Sequence, residues 1–223
     1  MFLRSIPVVV ACALLSPSVV LAQDAVRTDP AHYTLIAENA TVRVLKISYG
    51  PGEKSIMHSH PDAIVIPLVA SKVRFTMPDG TAQDVDMPNE SATYSPAGVH
   101  TPANLGAVRI EAVLIEFKGA APGTAALPTA RPGMAMKVLA EGPRGMAYRS
   151  TAEPTFQEPA GTTHDYDQVV IALGAVKMSL TLEGKAARTT WVRGDVELIG
   201  RGVRHASSNA GNTPVDFIIV AIK

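Results

Sequence analysis

Apolar and polar positions alternate in short runs along most of the chain, and each run closes on a turn signal. "TVRVLKISY" ends at Gly50-Pro51-Gly52, and "AIVIPLVA" and "KVRFTM" lead into Pro78-Asp79-Gly80. "VRIEAVLIEFK" closes this half at Lys118. A period of two is that of a strand with two unlike faces, and Pro-Asp-Gly is a hairpin signal. Glu111 and Glu116 in the last run are expected on an outer face, with a barrel-lining Glu111 as the alternative, and Phe75, Tyr94 and Trp191 in the core. The rhythm resumes with "QVVIAL" and "KMSLTL", which run into Glu183-Gly184. "WVRGDVELIGRGVRH" and "VDFIIVAIK" complete the chain. Helix-length amphipathic stretches are few, and the 17 glycines and 17 prolines punctuate the runs. The pattern predicts an all-β protein.

The two halves align on each other. Asp62 to Leu68 matches Asp167 to Leu173, Lys72 matches Lys177, and His100 matches His205. Asn104-Leu-Gly106 matches Asn209-Ala-Gly211, and every one of these pairs is 105 residues apart. A constant offset predicts a duplicated β domain. The Ala-, Pro- and Gly-rich stretch "GAAPGTAALPTARPGMA" lacks periodicity and reads as a linker over 119–135. The units it separates are 33–118 and 136–223.

Residues 1–22 have Arg4 near the start, an apolar stretch and small residues near Ala22. They read as a secretory signal cleaved after Ala22, which predicts a secreted or periplasmic protein. The apolar stretch is broken at Ser16-Pro17 and is short for a membrane span, and no later segment is apolar enough to make one. The single cysteine, Cys12, lies in this leader, so the exported chain would have no disulfide or thiolate. A metal would be held by nitrogen and oxygen. Twenty basic and twenty acidic residues balance without a basic block, which argues against nucleic-acid binding.

His58 and His60 stand two apart at the start of a strand-like run, so they project to one face. His100 follows about 40 residues on, in "SPAGVHTPANLG". If the two strands are antiparallel neighbours, the three imidazoles converge in a barrel mouth and make a facial metal site with open positions. His32 is expected at the surface, and Tyr166 either in a pocket beside His164 or in the core.

Gly52, His58 and His60, followed by Pro96, Gly98, His100 and Asn104, resemble the two motifs of the cupin superfamily. Counting the second half, the resemblance covers nearly the whole mature chain and implies a bicupin, two tandem jelly-roll barrels. The family's glutamate ligand would fall near Ala63 or Ile64, and Asp62 lies one position early. The resemblance therefore implies a first site of three histidines, as in some thiol and diketone dioxygenases of the superfamily. In the second half His164 and His205 match motif histidines. Thr162 replaces the first of the family's pair, and Gln168 sits at the glutamate position. His164, Gln168 and His205 are then a second, weaker site.

The expected function is that of an exported bicupin binding a divalent metal through His58, His60 and His100. The metal is one of iron, manganese, zinc, nickel or copper, since histidine nitrogen suits them all. As an enzyme it would be of dioxygenase or isomerase/hydrolase type, acting on a small oxygen-bearing molecule. The alternative is a non-catalytic small-ligand-binding or structural cupin. A homo-oligomer is compatible with either.

Overall fold

The computed structural model describes residues 24–119 and 128–223. The expected signal over 1–22 and residues 120–127 of the expected linker lie outside them. After one helical turn, α1 (Ala25–Thr28), the first half forms nine strands. They are β1 (Tyr33–Glu38), β2 (Val42–Tyr49), β3 (His58–His60), β4 (Ala63–Pro67), β5 (Ser71–Thr76), β6 (Ala82–Met87), β7 (Thr93–Ser95), β8 (Gly98–Asn104) and β9 (Ile110–Phe117). The second half forms nine more. They are β10 (Met134–Gly142), β11 (Gly145–Ala152), β12 (Gln157–Thr162), β13 (Asp167–Ala172), β14 (Met178–Leu182), β15 (Lys185–Arg188), β16 (Val196–Ile199), β17 (His205–Asn209) and β18 (Val215–Ile222).

Sheet order carries the duplication. The first half makes a five-stranded sheet β1-β2-β9-β4-β7 and a four-stranded sheet β3-β8-β5-β6. The second half makes β10-β11-β18-β13-β16 and β12-β17-β14-β15, the same orders advanced by nine strands. All these strand pairs are antiparallel. Each half is a barrel of two facing sheets. The hairpin signals fall where the pattern places them. Pro78-Asp79-Gly80 joins β5 to β6, with the Asp79 carboxylate accepting from Thr81 N at 2.9 Å. Glu183 and Gly184 both have positive φ in the two-residue turn from β14 to β15, as a primed hairpin turn requires.

The five-stranded sheets are apolar on both faces. On the first, Leu45, Ile47, Ala112 and Leu114 face their own barrel. Val44, Ile64, Ile66, Val113, Ile115 and Phe117 face the other barrel and pack on Val169, Ile171, Ile218, Val220 and Ile222. A layer shared between two large sheets explains why these strands read as nearly continuous apolar runs. The close approach needs a glycine. A Cβ on Gly142 would lie 2.2 Å from the Tyr94 ring of the first barrel. At the rim Asp167 accepts Asn39 Nδ2 at 3.1 Å, and Arg149 meets Glu90 at 3.2 Å.

Burial on both faces hides one feature of "VRIEAVLIEFK". Glu111 and Glu116 are five apart and so lie on opposite faces of β9. Glu111 is on the outer face as expected, but Glu116 points inward, only 1 % exposed, and accepts from Arg43 Nε at 2.7 Å. His32, expected at the surface, is partly buried. It is stacked on Tyr49 with ring centroids 4.5 Å apart, and Asp29 holds its Nδ1 at 2.8 Å. Trp191 is buried and donates to Met178 O at 2.9 Å.

Candidate functional site

In the first barrel β3 pairs with β8 so that His58 lies opposite His100 and His60 opposite Gly98. The three rings come together, with His100 centroids 5.3 Å from His58 and 4.8 Å from His60. They line a cavity of about 80 Å³ whose walls are mainly apolar, among them Ile47, Val65, Val73 and Leu114. Phe75 is part of that wall, 4.9 Å from the His100 ring. Burial lowers the pKa of His58, and burial together with the neighbouring imidazoles lowers that of His100 to about 3. Both rings are neutral at physiological pH.

A neutral imidazole binds metal through a nitrogen lone pair, and the His58 lone pair is engaged. Tyr49 donates to Tyr33 at 2.6 Å, which leaves the Tyr33 hydroxyl to donate to His58 Nε2 at 3.0 Å. His58 Nδ1 sits 2.8 Å from Ile56 O, which can only accept. That nitrogen carries the proton, and both ring nitrogens are satisfied within the protein. His60 donates from Nδ1 to Pro61 O at 2.7 Å, which leaves its Nε2 as an acceptor. Asp62 turns away from the histidines and accepts Ala97 N at 2.8 Å and Tyr94 Oη at 3.0 Å.

The second barrel holds a different set. His205, opposite Thr162 in the β12–β17 pair, comes close to His164 and to Glu158. Of the described residues, Glu158, His164 and His205 are the three whose ligand atoms all lie within 4.8 Å of one another. His205 Nδ1 lies 3.0 Å from Val203 O and carries the proton, so in the neutral ring Nε2 is a lone pair facing the Glu158 carboxylate at 3.2 Å. Two acceptors at that distance need a cation between them or a proton on the ring. His164 Nε2, 3.5 Å from Glu158, is buried without a hydrogen-bond partner. The donor set therefore fits a divalent ion: two imidazoles and one carboxylate, with ligand atoms all within 4.8 Å of one another.

Glu158 is 8 % exposed and also takes Ser207 Oγ at 2.9 Å and the Arg131 guanidinium. Burial would raise its pKa, but His164, His205 and Arg131 hold it far below the usual carboxylate range. Burial would lower the pKa of His205, but Glu158 and the Val203 carbonyl raise it. Tyr166 is buried and stacked on His164, with centroids 4.9 Å apart. Gln168 is buried and lines the adjoining cavity of about 50 Å³ with Trp191, Phe156 and Leu180.

Two of these groups are not visible in the motif. Glu158 precedes Thr162 by four residues but pairs only two positions along β17, with Ser207 against His205, so a bulge between them sets its place beside the histidines. Arg131 lies in the stretch read as linker, whose last residues Met134 and Ala135 already belong to β10. The sequence signal that could have drawn notice to Glu158 is a carboxylate close before the surviving histidine.

No family model and no curated protein matches the sequence. Solved structures do match. Salicylate 1,2-dioxygenase from Pseudaminobacter salicylatoxidans is 13% identical with a TM-score of 0.64, over 85% of this chain and 76% of that one. Oxalate decarboxylase is 14% identical with a TM-score of 0.58, over 89% and 71%. A cupin 2 conserved barrel domain protein from Leptotrichia buccalis is 10% identical with a TM-score of 0.56, over 86% and 88%. Likeness at this level of identity speaks for the fold, and with the repeated sheet order it gives the architecture: the chain has the bicupin fold, two tandem cupin barrels.

Proposed function

We propose that the chain is a metal-dependent bicupin acting on a small oxygen-bearing molecule, with its divalent ion in the second barrel. The observation that carries this reading is the convergence of Glu158, His164 and His205, with the unpartnered His164 Nε2 among them. A bound ion would supply Lewis acidity or, if iron, dioxygen activation. The chain supplies the surroundings. Val203 O fixes the His205 tautomer, and Tyr166 stacks behind His164. Phe156, Leu180 and Trp191 keep one side of the cavity apolar and dry. Arg131 gives the other side a positive charge, suited to an anionic oxygen of the substrate. The leader-like N-terminus supports action in the periplasm or outside the cell.

Elemental analysis of the purified and metal-reloaded chain tests the reading. One divalent ion per chain is expected, lost in Glu158→Ala and in His205→Ala and kept in His58→Ala. Retention in both second-barrel variants would overturn it. Turnover by the loaded chain, screened over small carboxylates and hydroxy compounds, separates an enzyme from a binding protein.

A further inference from the structure

The first barrel keeps the histidines of a metal site, but its hydrogen bonds use them otherwise. The chain of donors Tyr49 to Tyr33 to His58 ends on the Nε2 lone pair a metal would need. His58, His60 and His100 are not a set whose ligand atoms all come within 4.8 Å, although all three are described. Two other acceptors remain turned to the cavity. His60 Nε2 is an acceptor because its Nδ1 donates to Pro61 O. Among the described residues, the His100 ring has no protein hydrogen-bond partner. Around them the wall is Ile47, Val65, Val73, Phe75, Ile110 and Leu114, and no Lys, Arg, Asp or Glu lines the cavity. A carboxylate guest would be stripped of water and meet no cation, which is costly. A neutral apolar guest would gain from burial, and one hydroxyl would satisfy a waiting imidazole.

We propose that the first barrel is a metal-free pocket for a small, uncharged, largely apolar molecule with one hydroxyl donor, a phenol or an alcohol. The guest's O–H donates to His60 Nε2, with His100 beside it. This goes beyond the metal centre of the second barrel and does not depend on it.

The test titrates phenol, anisole and benzoate into the full chain by calorimetry, and measures zinc stoichiometry in parallel. Phenol should bind one per chain, equally in Glu158→Ala, and lose about tenfold or more in affinity in His60→Leu, the scale of one lost hydrogen bond in a dry site. Anisole, which cannot donate, should bind about tenfold more weakly than phenol. Benzoate should not displace phenol, since no cation lines this cavity. Zinc stoichiometry should be unchanged in His60→Leu. Val65→Phe fills the cavity with every histidine unsubstituted, and should abolish phenol binding even if His60→Leu proves unstable. A zinc ion lost in His60→Leu, or phenol binding indifferent to both variants, overturns the proposal. A chain that binds phenol as described but no zinc at all would sink the second-barrel centre and leave this pocket standing.

Discussion

His58 faces His100 across the strand pair of the first barrel, and Thr162 occupies the matching place opposite His205 in the second. The barrel with the fuller set of motif histidines has His58 and His100 neutral, and His58 tied to a tyrosine. The barrel that lost one has gained a carboxylate two strand positions along. Ser55 N bonds Pro102 O in the first barrel, while Glu158 pairs with Ser207 in the second. Pro102 and Ser207 are related by the 105-residue offset. At that register the first barrel has Ser55, which donates to Asp29 at 2.6 Å and does not line the cavity, and the second has a carboxylate that does line its cavity, with Arg131. Counting motif residues does not say which copy holds a metal. What matters is where the remaining lone pairs point.

The comparison is hardest hit through what the barrels share. Ile115 and Ile218 are both fully buried in the layer between the large sheets. Truncating either to alanine should cost about 2–5 kcal/mol, the range for buried isoleucine. Because the layer belongs to both halves, each variant should lower one common unfolding transition. Thermal unfolding followed separately by Trp191, which reports the second barrel, and by far-UV circular dichroism checks this. Two transitions, of which Ile115→Ala moves only one, would mean the barrels fold independently.

A smaller effect should be the same in both barrels. Asn104 Nδ2 donates to Tyr49 O, Gly50 O and Val108 O, and its Oδ1 accepts Gly106 N at 2.8 Å. Asn209 Nδ2 donates to Ala152 O and Thr213 O, and its Oδ1 accepts Gly211 N at 2.8 Å. Each amide ties a buried turn to the neighbouring sheet, and alanine would leave carbonyls unpaired. Denaturant unfolding of Asn104→Ala and Asn209→Ala should show losses of about 1–3 kcal/mol each. A cost confined to one of them would mean the copies have diverged in scaffold as well as in site.

These asparagines mark how far the sequence could be read. The constant offset through Asp62, His100 and Asn104 carried the duplicated topology, and Asp62 and Asn104 hold turns in the first copy as Asp167 and Asn209 do in the second. The shared face of His58 and His60 follows from strand periodicity alone, and both are buried. What the sequence hid depends on contacts distant along the chain. Tyr33 reaches His58 over 25 residues, and Arg131 reaches Glu158 over 27. Glu158 shares period-two parity with His164, but the intervening bulge decides which residue of β17 it meets. Glu116 is inward because β9 is buried on both faces, and an apolar run then gives no clue to which face is which.

Acid should move the two barrels in opposite directions, and this is the smallest expected effect. In the metal-free chain the folded pKa of His58 and His100 lies below 6.5, that of His100 at about 3. As pH falls through 6.5 the unfolded chain takes up protons that these buried rings refuse, so stability is lost from there downwards. His205 is raised above 6.5, so its contribution is fully present below that pH and is lost as pH rises through its folded value. Glu158 is depressed, so its contribution is present above about 4.5 and is lost only as pH falls further, through its folded value. Between pH 7.5 and 5.5 the first barrel should therefore lose stability while the Glu158–His205 pair gains. The His100 part is on the order of 1 kcal/mol, since only one unit of that window lies below its unfolded pKa. Melting temperatures of the chelator-treated chain at the two pH values read the sum, and single variants separate it. His100→Gln should make the chain relatively more stable at pH 5.5 than wild type, and His205→Gln relatively less. A shift of the same sign in both would mean that the two imidazoles share one electrostatic setting, and the contrast between a neutral and a charged barrel would fail.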